Sequence, residues 1–103
     1  MDTLVVFVTV PSAEKGVEIA RSLVGDRLAA CVNIIAGVRS IYHWEGKLED
    51  QGEALLIIKS SRQCLKKLEQ RVLELHPYET AEFIALSPQY VTDKYAKWLE
   101  ESL

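Results

Sequence analysis

The strand-like runs of this chain are apolar on both faces, and that is its tightest constraint. Thr3 to Val10 (TLVVFVTV) sets Leu4, Val6 and Val8 against Val5 and Phe7. Ala54 to Lys59 (ALLIIK) sets Leu56 and Ile58 against Leu55 and Ile57, and Ala81 to Ser87 (AEFIALS) sets Phe83 and Ala85 against Ile84 and Leu86. Successive side chains of a strand point to opposite faces. A sheet with one wet face therefore alternates apolar and polar residues. These runs do not, so the sheet they build needs a cover on each side.

The intervening segments supply one cover. Ser12 follows Pro11 and can cap a helix with Glu14 in its first turn, Val17, Ala20, Leu23 and Val24 on its apolar stripe, and Gly25 as its stop. Ser60 and Gln63 have capping-box spacing ahead of Leu65, Leu68, Val72 and Leu75, and His76-Pro77 ends that helix. Val91, Tyr95, Trp98 and Leu99 mark a short terminal helix. A second strand runs from Ala30 or Cys31 to about Trp44, with Lys47 to Gly52 (KLEDQG) as a polar hairpin tip before the third. The order β-α-β-β-α-β-α predicts an α+β fold: a ferredoxin-like β-α-β-β-α-β sandwich with an antiparallel sheet and a short C-terminal helix. Its central pair would be the first and third strands. At 103 residues the chain reads as a single domain, 1–103, able to bury about two-thirds of its surface.

Both helices of such a sandwich lie on one face, so the other face is left open. The second strand adds to this. Its 14 residues from Cys31 to Trp44 reach ~46 Å at about 3.3 Å per residue, against a radius of gyration of ~13 Å for a domain this size. Even with a bulge at Gly37, Ser40 to Trp44 (SIYHW) overshoots and carries Ile41, Tyr42 and Trp44 with it. Exposed apolar area of this extent marks an interface. The expectation is a homo-oligomer; the alternative is that the third helix folds back over the open face.

Charge and motifs exclude several function classes. Fifteen acidic and 12 basic residues give net −3, without the basic excess of a nucleic-acid partner. Leu4 to Val8 is too short to span a membrane, and Asp2 stands where a signal peptide carries positive charge, so a cytoplasmic protein is expected. No P-loop or Gly-x-Gly-x-x-Gly is present, and Val10 to Lys15 (VPSAEK) lacks the glycine and arginine of an acylphosphatase loop. Nothing pairs a nucleophile with a base, so no enzyme is expected. Glu45, Glu49, Asp50 and Glu53 read as a solvated edge that discourages strand pairing.

The soft or borderline metal ligands are Cys31, Cys64, His43, His76 and Met1. None forms a Cys-x-x-Cys motif. Cys31 and His76 are the leading candidates, His76 because it sits at a helix end beside Pro77-Tyr78-Glu79. Tyr42 and Trp44 alternate onto one face of the protruding strand. With Tyr78 and Glu79 they are expected to line a small-ligand cleft between subunits, the alternative being that the two aromatics serve only as interface anchors.

Three strings carry a resemblance: Ala30-Cys31-Val32-Asn33, Tyr42-His43-Trp44-Glu45-Gly46 and His76-Pro77-Tyr78-Glu79, with Trp98-Leu99 near the end. In this order and spacing the chain resembles the CutA divalent-cation tolerance proteins over essentially its whole length. The resemblance implies a cytoplasmic homotrimer, similar in architecture to PII-type signalling proteins and linked to tolerance of copper and other divalent metals. Members assigned a copper site use a cysteine in the first strand and two adjacent histidines before the Pro-Tyr. The matching positions here are Val8, Leu75 and His76, so one of the three ligands remains. Two functions follow: a trimeric metal-response protein with at most weak binding of copper or another divalent cation, or a PII-like trimer that binds a small ligand.

Overall fold

The structure is a computed structural model and describes residues 2–103; Met1, one of the sulfur candidates, lies outside the described residues. The elements are β1 (Thr3–Val10), α1 (Ala13–Gly25), β2 (Cys31–Trp44), β3 (Lys47–Ser61), a 3-10 turn at Arg62–Cys64, α2 (Leu65–Leu75), β4 (Ile84–Leu86) and α3 (Asp93–Glu101). The sheet order is β2-β3-β1-β4, with every neighbouring pair antiparallel. The ferredoxin-like sandwich is therefore the fold, with β3 and β1 at its centre.

Period-two alternation sorts the strands into two layers. Val6, Val8 and Val10 with Ala54, Leu56 and Ile58 form the buried face, closed by Ile19 and Leu23 of α1 and Leu68 and Val72 of α2. The opposite face follows from the register. Cys31, Lys59, Val5 and Leu86 form one row across the sheet; Asn33, Ile57, Phe7 and Ile84 the next; Ile35, Leu55 and Thr9 the third. No α1 or α2 side chain closes this side, and Ile35, Ile84 and Leu86 are exposed. α3 folds back only at the Cys31 end. Its Leu99 is buried, and the Ser102 carbonyl beyond it accepts from the Arg27 guanidinium at 3.4 Å.

Local chemistry moves several boundaries. Lys47 to Gly52 is not the hairpin tip but part of β3, paired to Arg39–Trp44. The turn is two residues, Glu45-Gly46, both with positive φ (51° and 79°), the geometry whose twist matches the flanking strands. Ala36 and Gly37 form the bulge, and Gly37 takes φ 75°. Ser60 caps no helix: it lies in β3, fully buried, and its hydroxyl donates to the Leu28 carbonyl at 2.7 Å. α1 includes Gly25, and the left-handed residue after it is Arg27 (φ 57°), where Leu28 and Ala29 N–H turn back to the Leu23 carbonyl. β4 is three residues instead of seven. The hairpin stretches the molecule to 45 × 26 × 23 Å.

Candidate functional site

β1 ends at Val10, which pairs with Ala54. Above that row β2 and β3 continue alone. On their open-face side stand Ser40, Tyr42 and Trp44 of β2, with Gln51 and Glu53 of β3. The segment from α2 to β4 rises beside them and brings Tyr78, Glu79, Thr80 and Glu82. Together with Thr9 and Ile41 these residues line a cleft of about 800 Å³. The four residues expected at a cleft, Tyr42, Trp44, Tyr78 and Glu79, thus line one cavity within a single chain.

His76 holds this corner together. Its Nε2 donates to the Thr9 carbonyl at 2.7 Å, and its Nδ1 accepts from the Tyr78 backbone N–H at 3.1 Å. A carbonyl can only accept and an N–H can only donate, so the pair defines the neutral Nε2–H tautomer. The one lone pair of that tautomer is already engaged. Buried to 7% exposure, with the Tyr78 ring 4.8 Å away, His76 sets the path of the chain into the cleft wall.

Tyr78 donates its hydroxyl to Glu53 Oε2 at 3.0 Å. Burial first, then this bond and the Glu53 charge, push the phenol up to about 12. Burial, with Glu53 second, also raises the Glu82 carboxyl above its ordinary value. Glu53 is no solvated edge residue: its place is on the apolar side of β3, in step with Leu55 and Ile57, and Tyr78 covers it. Asp50 lies on the other side of the hairpin, paired bidentately with Arg39 at 2.8 and 2.7 Å, which holds its carboxyl below the usual range. Glu53 and Glu82 are the charged cleft residues that sequence reasoning missed. Alternation from Leu55 was the available signal for the first; nothing local marked the second.

Cys31 is elsewhere. It shares a row with Val5, whereas His76 bonds at Thr9, four residues and about 13 Å along β1. Its sulfur is 3.9 Å from the Lys59 ammonium, which also donates to Asn33 Oδ1, and it lies near Tyr95 of α3. Within one chain Cys31 and His76 do not meet. Among the described residues no group of three or more His, Cys, Asp or Glu side chains is placed to hold a metal ion.

Residues 4–102 match the family model described as CutA1 divalent ion tolerance protein. The chain is 46% identical over 100 residues to the chloroplastic CutA protein of Arabidopsis thaliana, covering 97% of this chain and 55% of that one. It is 45% identical over 98 residues to the divalent-cation tolerance protein CutA of Thermus thermophilus, covering 95% of each. The CutA1 structure from Oryza sativa superposes with a TM-score of 0.96 at 43% identity, covering 99% of this chain and 94% of the other. Sequence strings, strand order and these likenesses agree: the chain belongs to the CutA1 divalent ion tolerance family.

Proposed function

We propose that the protein serves divalent-cation tolerance in the cytoplasm as a homotrimer of single-domain subunits, without catalysis, and that its clefts bind a small ligand. The observation that carries this reading is the Tyr42–Trp44–Tyr78–Glu79 cleft, set against the engaged nitrogens of His76. A cavity of about 800 Å³ with aromatic walls and a few polar groups has the size and lining of a small-molecule site. A tight copper site instead needs several convergent nitrogen or sulfur donors. Copper or another divalent cation is accordingly held weakly, at Cys31 or at a His76 that has released the Tyr78 N–H from its Nδ1. The trimer is supported by the uncovered face around Ile35, Ile84 and Leu86 and by the exposed Ile41, Trp44 and Leu48 of the hairpin.

Calorimetric titration with copper, zinc and a metabolite panel, alongside light scattering, tests this. The expected mass is about 35 kDa, three times 11.6 kDa. Copper should bind more weakly than about 1 μM, and a panel ligand should lose its signal in Tyr78→Phe and Glu79→Gln while the trimer persists. A monomer at micromolar concentration, or a nanomolar copper site abolished by His76→Ala, would overturn the reading.

A further inference from the structure

The charge on the cleft wall has no counterpart. Glu53, Glu79 and Glu82 line it, and among the described residues of the subunit no lysine or arginine does. Arg39, on the same hairpin, is committed to Asp50 on the other side. Glu53 is 9% exposed, and its Oε2 accepts from Tyr78. Its other oxygen, Oε1, makes no hydrogen bond among the described residues. No side-chain polar atom of the described residues is sealed off without a partner, so this oxygen opens into the cleft. A carboxylate taken this far from water is costly unless a positive charge meets it. Glu82 lines the same cavity, and burial with the Glu53 charge raises its carboxyl above the ordinary value.

The lining also says which cation fits. The acidic groups do not converge as a metal cage, and a cavity of about 800 Å³ is far larger than a bare ion. The rings of Tyr42, Trp44 and Tyr78 line the same cavity as the carboxylates. Aromatic faces attract ammonium and guanidinium groups through their quadrupoles, most strongly where water is displaced. We infer that the cleft takes a small organic cation, an ammonium or guanidinium on a compact apolar body, with Glu53 and Glu82 as counter-charge and Trp44, Tyr42 and Tyr78 as its aromatic wall. This rests on the reading of the cleft as the ligand site and narrows it to one chemical class.

The test titrates the whole protein, in a Trp98→Phe background so that Trp44 alone reports by fluorescence. The probes are choline, butylammonium and butylguanidinium, with dimethylbutanol as the neutral isostere of choline and pivalate as an anion. The cations should bind saturably, with affinity falling as salt rises, and the neutral isostere should bind at least about tenfold more weakly. Glu82→Gln should weaken the cations about tenfold and leave the isostere unchanged. Because Glu53 is buried and Glu53→Gln can unfold the corner, Glu82→Gln is the deciding variant, with circular dichroism as the fold check. Isostere or anion binding equal to that of the cations overturns the charge assignment. So does cation affinity unchanged in Glu82→Gln, or no cation binding at all. Neutral or anionic binding that is lost in Tyr78→Phe would still leave the cleft as the ligand site; a panel ligand indifferent to Tyr78→Phe and Glu79→Gln would remove the site itself.

Discussion

Two side chains at the cleft show how far a residue's type can mislead about its work. His76 sits in the string most suggestive of metal, yet its ring bridges Thr9 and Tyr78 and ties the α2–β4 connection to the end of β1. His76→Ala removes both bonds and takes a partner from the Thr9 carbonyl and from the Tyr78 N–H, which should cost about 2–3 kcal/mol in urea unfolding. A loss under about 0.5 kcal/mol would show that the bridge is not structural. Glu82 carries the pH dependence of this corner. Its folded-state pKa is raised, so its contribution is fully present below the unfolded value and is lost as pH rises through the folded value. Glu82→Gln should therefore stabilise the protein at pH 7 and make no difference well below pH 4, where the Glu82 carboxyl is neutral in both the folded and the unfolded chain. Differential scanning fluorimetry across that range reads the crossover; a constant offset at all pH values would contradict it. Tyr78 follows the same sign in another window, from about 10 to about 12, so its bond to Glu53 persists through neutral pH.

At the scale of elements, the β2–β3 hairpin and α1 each hinge on glycine. Gly46 and Gly37 both take positive φ, one to reverse the chain in two residues and one to redirect β2 at the bulge. The polar run Lys47 to Gly52 looked like a loop because it has no apolar alternation, but a ladder needs only a partner strand, and Arg39 to Trp44 supplies it. Gly16 lies inside α1, where glycine costs helix stability. A Cβ there would stand 3.0 Å from Leu56 Cδ2 and 3.4 Å from Ile34 Cγ2 and Val10 Cγ2, so the missing side chain lets α1 settle on the sheet. Gly16→Val should destabilise by about 1–3 kcal/mol despite adding a side chain to the core. An unchanged denaturation midpoint would mean that the helix can lift without loss.

For the whole molecule, the proposed assembly turns on the uncovered face of the sheet. Its central strands are half-buried, and its rim exposes Ile35, Ile84 and Leu86, with α3 reaching only the Cys31 end. Leu86→Asp places a charge on this face at an exposed position, where it does not disturb the folded subunit. If copies of the chain cover the face, the substitution should lower the mass in light scattering from about 35 kDa toward 11.6 kDa. An undiminished trimer would place the interface elsewhere, on the hairpin alone.

The sequence by itself determined the element order, the ferredoxin-like topology, the central pairing of the first and third strands and the excess of apolar faces. These rest on local periodicity, caps and turn chemistry, which a run of neighbouring residues carries whole. Alternation on the protruding strand and the turn after the second helix lead to the expectation that Tyr42, Trp44, Tyr78 and Glu79 line a cleft between subunits, whereas the cavity they line here lies within one chain. Only the tertiary structure decided that His76 spends both nitrogens on the backbone, that Cys31 lies four residues of strand away from it, and that Glu53 and Glu82 line the same cleft. The physical reason is separation: Thr9, Glu53, His76 and Glu82 are distant along the chain, and a hydrogen bond or a desolvated charge depends on the few ångströms at which packing brings them together.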